Sequence, residues 1–135
     1  MKKSKFVTFL LWFSGVIALA IGSCLLFIPV TFQASAGIVL ADDPGLLSEM
    51  RGPGGFIFVS GGIMIIGAIR PAFTFTALIL CCVLYLSYGI SRVLSVVLDG
   101  MPGETIVAAM VAELVIGALC LIALFKFRNP DYNKS

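Results

Sequence analysis

Four long apolar runs, separated by short clusters of charged residues, glycine and proline, dominate the pattern of this sequence. The runs predict helices over residues 6–29, 50–69, 72–98 and 104–125. Each is close to the roughly 20 residues that a helix needs to cross a bilayer. Glycine, proline or polar clusters at the ends of the runs mark the turns between them. The pattern therefore predicts an all-α, polytopic membrane protein, with residues 1–135 forming one domain, a bundle of four transmembrane helices.

The connections between the runs differ in length. Residues 30–48 predict an interfacial loop, with or without one short helical piece, and Asp42-Asp43-Pro44-Gly45 within it has turn chemistry. The second helix is rich in glycine, and Gly55 and Gly62 share one of its faces. Such a thin helix belongs in the middle of a bundle, where neighbouring backbones approach it closely.

Composition supports a membrane location and narrows the chemistry. Charged residues make up 12% of the chain, whereas a soluble domain has about 25%. The net charge of +2 is unremarkable by itself, and we expect no nucleic-acid partner. Histidine, the commonest metal ligand and general base, does not occur in the sequence. The four cysteines form no CxxC pair and are interpreted as small apolar residues. We therefore expect no catalytic group, no metal site and no cofactor, and do not interpret the chain as an enzyme.

The basic residues are unevenly distributed between the two sides of the predicted bundle. Seven of the nine fall on the side of the two termini: Lys2, Lys3, Lys5, Arg70, Lys126, Arg128 and Lys134. The positive-inside rule then predicts that both termini lie in the cytoplasm. A cleaved signal peptide ending near Ala18-Leu19-Ala20 is the alternative for the N-terminal segment. The apolar run continues past that point to Pro29, which favours an uncleaved helix.

A polar stripe runs along the end of the third predicted helix. Tyr85, Tyr88, Arg92, Ser95 and Asp99 fall within an arc of about 80°. A charge within a membrane span costs several kcal/mol unless it is paired or hydrated. Arg92 precedes Asp99 by seven residues, a depth of about 10 Å, and Glu113 follows Glu104 by nine residues, about 13 Å. Because these two depths are similar, we expect an ion pair between Arg92 and Glu113.

Glu49 and Arg51 enter the membrane from the same side, so the sequence predicts an outward-facing polar pocket. Its predicted residues are Glu49, Arg51, Tyr88, Arg92, Ser95, Asp99 and Glu113. One interpretation is that the charges only fix the register of the helices. The other is a site for a membrane lipid, a small polar ligand, a partner membrane subunit or a second copy of the chain. A small proton-coupled transporter that uses Glu113 is the alternative function.

Three motifs carry a resemblance to a known family: ExRGxGG from Glu49 to Gly55, GxxRxxSxxxDGxP from Gly89 to Pro102, and ELVxG from Glu113 to Gly117. Together they resemble an uncharacterised bacterial family of small four-helix membrane proteins, a domain of unknown function that is loosely similar to DoxX-type proteins. The resemblance covers nearly the whole chain. It implies a four-helix fold, implies that the charged residues belong to the family pattern, and implies no activity.

Overall fold

The computed structural model describes residues 4–128, which are helical apart from short connections and contain no β-strand. The five helices are α1 (Lys5–Phe27), α2 (Pro29–Ser35), α3 (Pro44–Ile69), α4 (Pro71–Asp99) and α5 (Glu104–Arg128). All except α2 are long and apolar enough to cross a membrane. The all-α class and the four candidate membrane helices predicted from the apolar runs are confirmed.

The start of α3 differs from the prediction, because the helix begins at Pro44 rather than at residue 50. The Oδ1 atom of Asp43 accepts a hydrogen bond from the backbone N–H of Leu46 at 2.8 Å. An aspartate at the N-cap followed by proline is a strong signal for a helix start. The residues predicted to form a turn therefore begin the helix, and Pro53 lies inside it.

The connection after the first candidate span contains a helix of its own. The first helix was predicted to reach Pro29, but α1 ends at Phe27 and Pro29 begins α2. Proline at the first helical position has no N–H to satisfy, so it starts a new helix easily. The Nε2 atom of Gln33 donates to Sδ of Met50 at 3.3 Å, which fastens α2 to the beginning of α3. The remaining helix boundaries lie within three residues of their predicted positions.

The tight connection between α3 and α4 is stabilised by Thr74. Pro71 has no N–H to donate to the carbonyl of Gly67, four residues earlier. The Thr74 hydroxyl donates to that carbonyl at 2.8 Å and is itself fully buried. This bond ties the first turn of α4 to the last turns of α3.

Glycine allows α1 and α3 to pack at backbone distance. A Cβ atom built on Gly61 would lie 2.7 Å from the backbone nitrogen of Leu19 and 2.8 Å from the carbonyl oxygen of Gly15. The predicted close-contact face was that of Gly55 and Gly62. Gly62 has no such neighbour within 4 Å, so the face lies one residue away, at Gly54 and Gly61. The bundle places α3 between α1 and α4, and α4 packs next against α5.

Helices α4 and α5 are antiparallel neighbours, and matched side chains hold them together along their length. Leu86 of α4 packs on Gly117, and Leu114 of α5 packs on Gly89. We call this interface the α4–α5 seam. On either side of these glycine contacts, Cys81 contacts Cys120 and Arg92 contacts Glu113.

The bundle has two distinct ends. The distal end carries α2, the start of α3 and the turn over residues 100–103, where Ala36 lies against Gly103. The proximal end carries the start of α1, the α3–α4 connection and the end of α5. Four exposed basic residues lie at the proximal end: Lys5, Arg70, Lys126 and Arg128. Between the two ends, large apolar side chains such as Phe9, Val83 and Phe125 face outward.

Candidate functional site

Arg92 and Glu113 form an ion pair near the distal end of the α4–α5 seam. The Nε atom of Arg92 donates to Oε2 of Glu113 at 2.8 Å, and the two side chains are 35% and 16% exposed. The short turn after Asp99 places the two residues at matching levels on antiparallel helices. The predicted pairing is confirmed, although the arginine is half-buried rather than fully enclosed.

The pair lies on the wall of a cavity of about 370 Å³ inside the distal half of the bundle. Every helix contributes to the wall, together with residues 36 and 38, which follow α2. Apolar side chains dominate, among them Ile21, Leu25, Ile57, Leu84 and Ile106. The cavity is therefore an apolar space with one charged pair on its surface.

Two tyrosines of the predicted stripe have different roles. Tyr85 is buried, and its hydroxyl donates to the backbone carbonyl of Ser14 at 2.6 Å, which joins α4 to α1 at the cavity wall. Tyr88 is half-buried one turn closer to Arg92 and also lines the cavity. No hydrogen bond from the Tyr88 hydroxyl is formed to any residue in the range 4–128. Tyr85 therefore holds the wall together, whereas Tyr88 offers a free hydroxyl.

The other four predicted site residues lie outside the cavity wall. Ser95 donates to Oδ2 of Asp99 at 3.0 Å, and both residues are exposed on the last turns of α4. Glu49 and Arg51 are exposed on α3, and neither forms an ion pair within the described part of the chain. The structure thus brings together Tyr88, Arg92 and Glu113 of the predicted set.

The pair uses only part of its hydrogen-bonding capacity. Arginine has five N–H donors, and a carboxylate can accept from a guanidinium through both oxygens. Across residues 4–128, the hydrogen bond from Nε to Oε2 is the one that joins these side chains. The two Nη groups of Arg92 and the Oε1 atom of Glu113 are therefore available to a further partner.

Sequence reasoning missed two features around this site. One is the position of the short helical piece allowed in the connection, because α2 lies at the cavity, where Phe32 and Gln33 line the wall. Pro29 after a long apolar run was the signal for where this helix begins. The other is a contact of 2.7 Å between the sulfur atoms of Cys81 and Cys120. Counting residues outward from the α4–α5 turn, as was done for Arg92 and Glu113, gives these cysteines similar depths. Within the described residues, no three His, Cys, Asp or Glu side chains are grouped to hold a metal ion.

Comparison with known proteins identifies the family. The fold and the charged pair define a small helical protein with four candidate membrane spans. The model of the family described as a domain of unknown function (DUF4345) matches residues 6–124, and the chain belongs to that family. The resemblance seen in the three sequence motifs is confirmed to that extent. No match was found among curated proteins or among solved structures.

Proposed function

We propose that this chain is a multi-pass protein of the bacterial inner membrane that binds one amphipathic membrane molecule in the distal cavity. The observation that carries the proposal is the Arg92–Glu113 pair on the wall of an apolar cavity, with the Nη groups of Arg92 unused. The molecule's apolar part lies against the aliphatic wall. Its polar end carries carboxylate or phosphate oxygens that accept hydrogen bonds from Arg92 and Tyr88.

The geometry of the pair favours binding over a purely structural role. A pair that only fixes helix register gains most when both side chains are buried and the guanidinium binds the carboxylate through two bonds. Here one bond forms, and Arg92 keeps about a third of its side chain exposed. The structure therefore supports a site in which Glu113 orients Arg92 for another acceptor.

The size of the cavity limits the occupant to one small molecule. Ligand sites commonly enclose about 300–1,000 Å³, and this cavity, at about 370 Å³, is near the lower end. An apolar wall with a few convergent polar groups is the usual composition of such sites. A membrane lipid that inserts part of one chain fits the chemistry of the wall.

The proposed orientation places both termini in the cytoplasm and the cavity in the periplasmic half of the membrane. The four basic residues of the proximal end support it, since cytoplasmic ends carry an excess of lysine and arginine. Lys2, Lys3 and Lys134 contribute to the same prediction but lie outside the described residues. The predicted likeness to DoxX-type proteins is untested and has no part in this proposal.

Native mass spectrometry of the protein released from its own membrane tests the binding proposal. We expect a bound amphiphile on the wild type and on Arg51→Gln, because Arg51 does not line the cavity, and at least about a tenfold loss on Arg92→Gln. Oleate and lysophosphatidylglycerol, added separately to stripped protein, distinguish carboxylate from phosphate recognition. Tyr88→Phe removes one donor with little effect on folding and provides a second variant. Equal retention of the amphiphile by Arg92→Gln and Arg51→Gln would contradict the proposal. A bound mass equal to that of a second chain or another protein would indicate a subunit interface instead.

Proton-coupled transport through Glu113 is the second candidate. It is favoured by the position of the Glu113 carboxylate on the cavity wall, with one oxygen unused within the described chain. Uptake of ethidium by proteoliposomes under an imposed pH gradient tests it. Transport predicts that uptake stops in Glu113→Gln and continues in Glu104→Gln, whose carboxylate is exposed outside the cavity wall. Absence of gradient-driven uptake by the wild type would exclude proton-coupled transport of this cation.

A further inference from the structure

Cys81 and Cys120 meet at the proximal part of the α4–α5 seam. Their sulfur atoms are 2.7 Å apart, and both residues are fully buried. This is shorter than ordinary contact between two sulfur atoms, and longer than the roughly 2.05 Å of a disulfide bond. Both residues are free thiols in this structure. A small movement of the two side chains therefore suffices to join them.

The pair is enclosed in the bundle, with the hydroxyl groups of Tyr85 and Ser14 nearby. Cys81 lies one helical turn from Tyr85, whose hydroxyl binds the carbonyl of Ser14. The side-chain hydroxyl of Ser14 is buried beside both cysteines and has no oxygen or nitrogen partner among the described residues. It can therefore bind an oxygen atom carried transiently by one of the sulfurs. Because both cysteines are fully buried, a bulky alkylating reagent cannot reach them in the folded protein.

The other two cysteines provide internal controls. Cys82 is buried beside Cys81 on α4, and Cys24 is half-buried on α1. The only sulfur–sulfur contact recorded within residues 4–128 joins Cys81 and Cys120. Disulfide formation that depends on this contact should join Cys81 to Cys120. Cys82, although adjacent to Cys81 in the sequence, should keep its thiol.

We propose that Cys81 and Cys120 are a site of reversible oxidation, at which hydrogen peroxide converts the two thiols to a disulfide that links α4 to α5 and that a dithiol reductant converts back. One thiol sulfur attacks a peroxide oxygen, the O–O bond breaks, and a sulfenic acid and one water form. The second sulfur then attacks the sulfenic sulfur, the S–O bond breaks, and a second water leaves. Two electrons and two thiol hydrogens thus pass to the peroxide. The site is independent of the ligand proposed for the distal cavity.

Thiol counting on the full-length protein tests the assignment. Protein in native membranes is treated with limiting hydrogen peroxide, quenched in acid, denatured and labelled with a maleimide mass tag. The wild type, with four cysteines, should carry four tags before treatment and two afterwards, and a reductant should restore four. Protein that carries two tags when isolated and four after reduction gives the same support.

Single substitutions distinguish the proposed pair from its neighbours. Each serine variant starts from three thiols, so Cys82→Ser and Cys24→Ser should fall to one tag after peroxide, whereas Cys81→Ser and Cys120→Ser should keep three. A protease site placed in the turn over residues 100–103 gives a second readout. After oxidation and cleavage, the two fragments should stay joined until a reductant is added. The proposal would be overturned if the wild type kept four tags after peroxide. It would also be overturned if the oxidised fragments separated without reductant, or if Cys82→Ser failed to form the disulfide.

Discussion

Nε of Arg92 and Oε2 of Glu113 lie 2.8 Å apart and join α4 to α5 at the wall of the distal cavity. The contact pairs two charges on candidate membrane helices, where either one alone would be costly. It also leaves most donors of the arginine unused. The pair therefore serves both the packing of the helices and the proposed site.

A double-mutant cycle measures the strength of this contact. We expect Arg92→Met and Glu113→Leu each to reduce the free energy of unfolding, and the double variant to lose less than the sum. The coupling should be about 1–2 kcal/mol, below the cost of breaking a fully buried pair, because Arg92 is partly exposed. Unfolding in mixed micelles by a denaturing detergent gives the free energies.

The exposed pair of Ser95 and Asp99 serves as the control for that cycle. Ser95→Ala and Asp99→Asn should change stability by less than about 0.5 kcal/mol, because exposed polar contacts contribute little. Strictly additive effects of the Arg92 and Glu113 substitutions would show that the two side chains do not interact.

Adjacent glycines on α3 give opposite predictions for the same substitution. Gly61→Ala places a methyl group 2.7 Å from the backbone of α1, so the helices must separate, at a cost of about 1–3 kcal/mol. Gly62→Ala meets nothing within 4 Å and should be neutral or stabilising by up to about 1 kcal/mol, since alanine favours helix over glycine. The detergent titration compares the two. Equal destabilisation by both variants would contradict the observed rotation of α3.

The two tyrosines at the cavity should separate stability from binding. Tyr85→Phe removes the hydrogen bond to Ser14 and should cost about 1 kcal/mol. Tyr88→Phe removes a hydroxyl with no partner within the described chain, so stability should be unchanged while retention of the amphiphile falls. Thermal unfolding followed by circular dichroism measures the first effect. A larger loss of stability in Tyr88→Phe than in Tyr85→Phe would reverse the roles assigned here.

The predictable part of this fold follows from chain length and apolar periodicity. Four runs long enough for membrane helices define four helices, and similar depth from one turn pairs Arg92 with Glu113. Helix rotation is harder to predict, because a shift of one residue turns a face by about 100°. That shift explains why Gly61, rather than Gly62, meets α1. Helix rotation also explains why Arg51, which was predicted from its depth to line the pocket, lies outside the cavity wall. Predicting the contact between Cys81 and Cys120 would have required the rotations of α4 and α5 as well as the depths of the two residues.

Reporter fusions test the proposed orientation. Alkaline phosphatase and green fluorescent protein fused after Lys5, near Pro44, after Arg70, at Gly100 and at the C-terminus should report inside, outside, inside, outside and inside. The bias of basic residues toward the proximal end is the physical reason for this order. A periplasmic C-terminus would refute the scheme, and a processed N-terminus would support the signal-peptide alternative.

The most direct test of the account fills the cavity without touching its charges. Ala109 lines the cavity, whereas its neighbour Ala108 is exposed on the same helix, so leucine at each position adds the same atoms in different places. Native mass spectrometry should show that Ala109→Leu retains at least about tenfold less amphiphile than the wild type, and that Ala108→Leu retains as much. Full occupancy in Ala109→Leu, or equal losses in both variants, would contradict binding in the distal cavity.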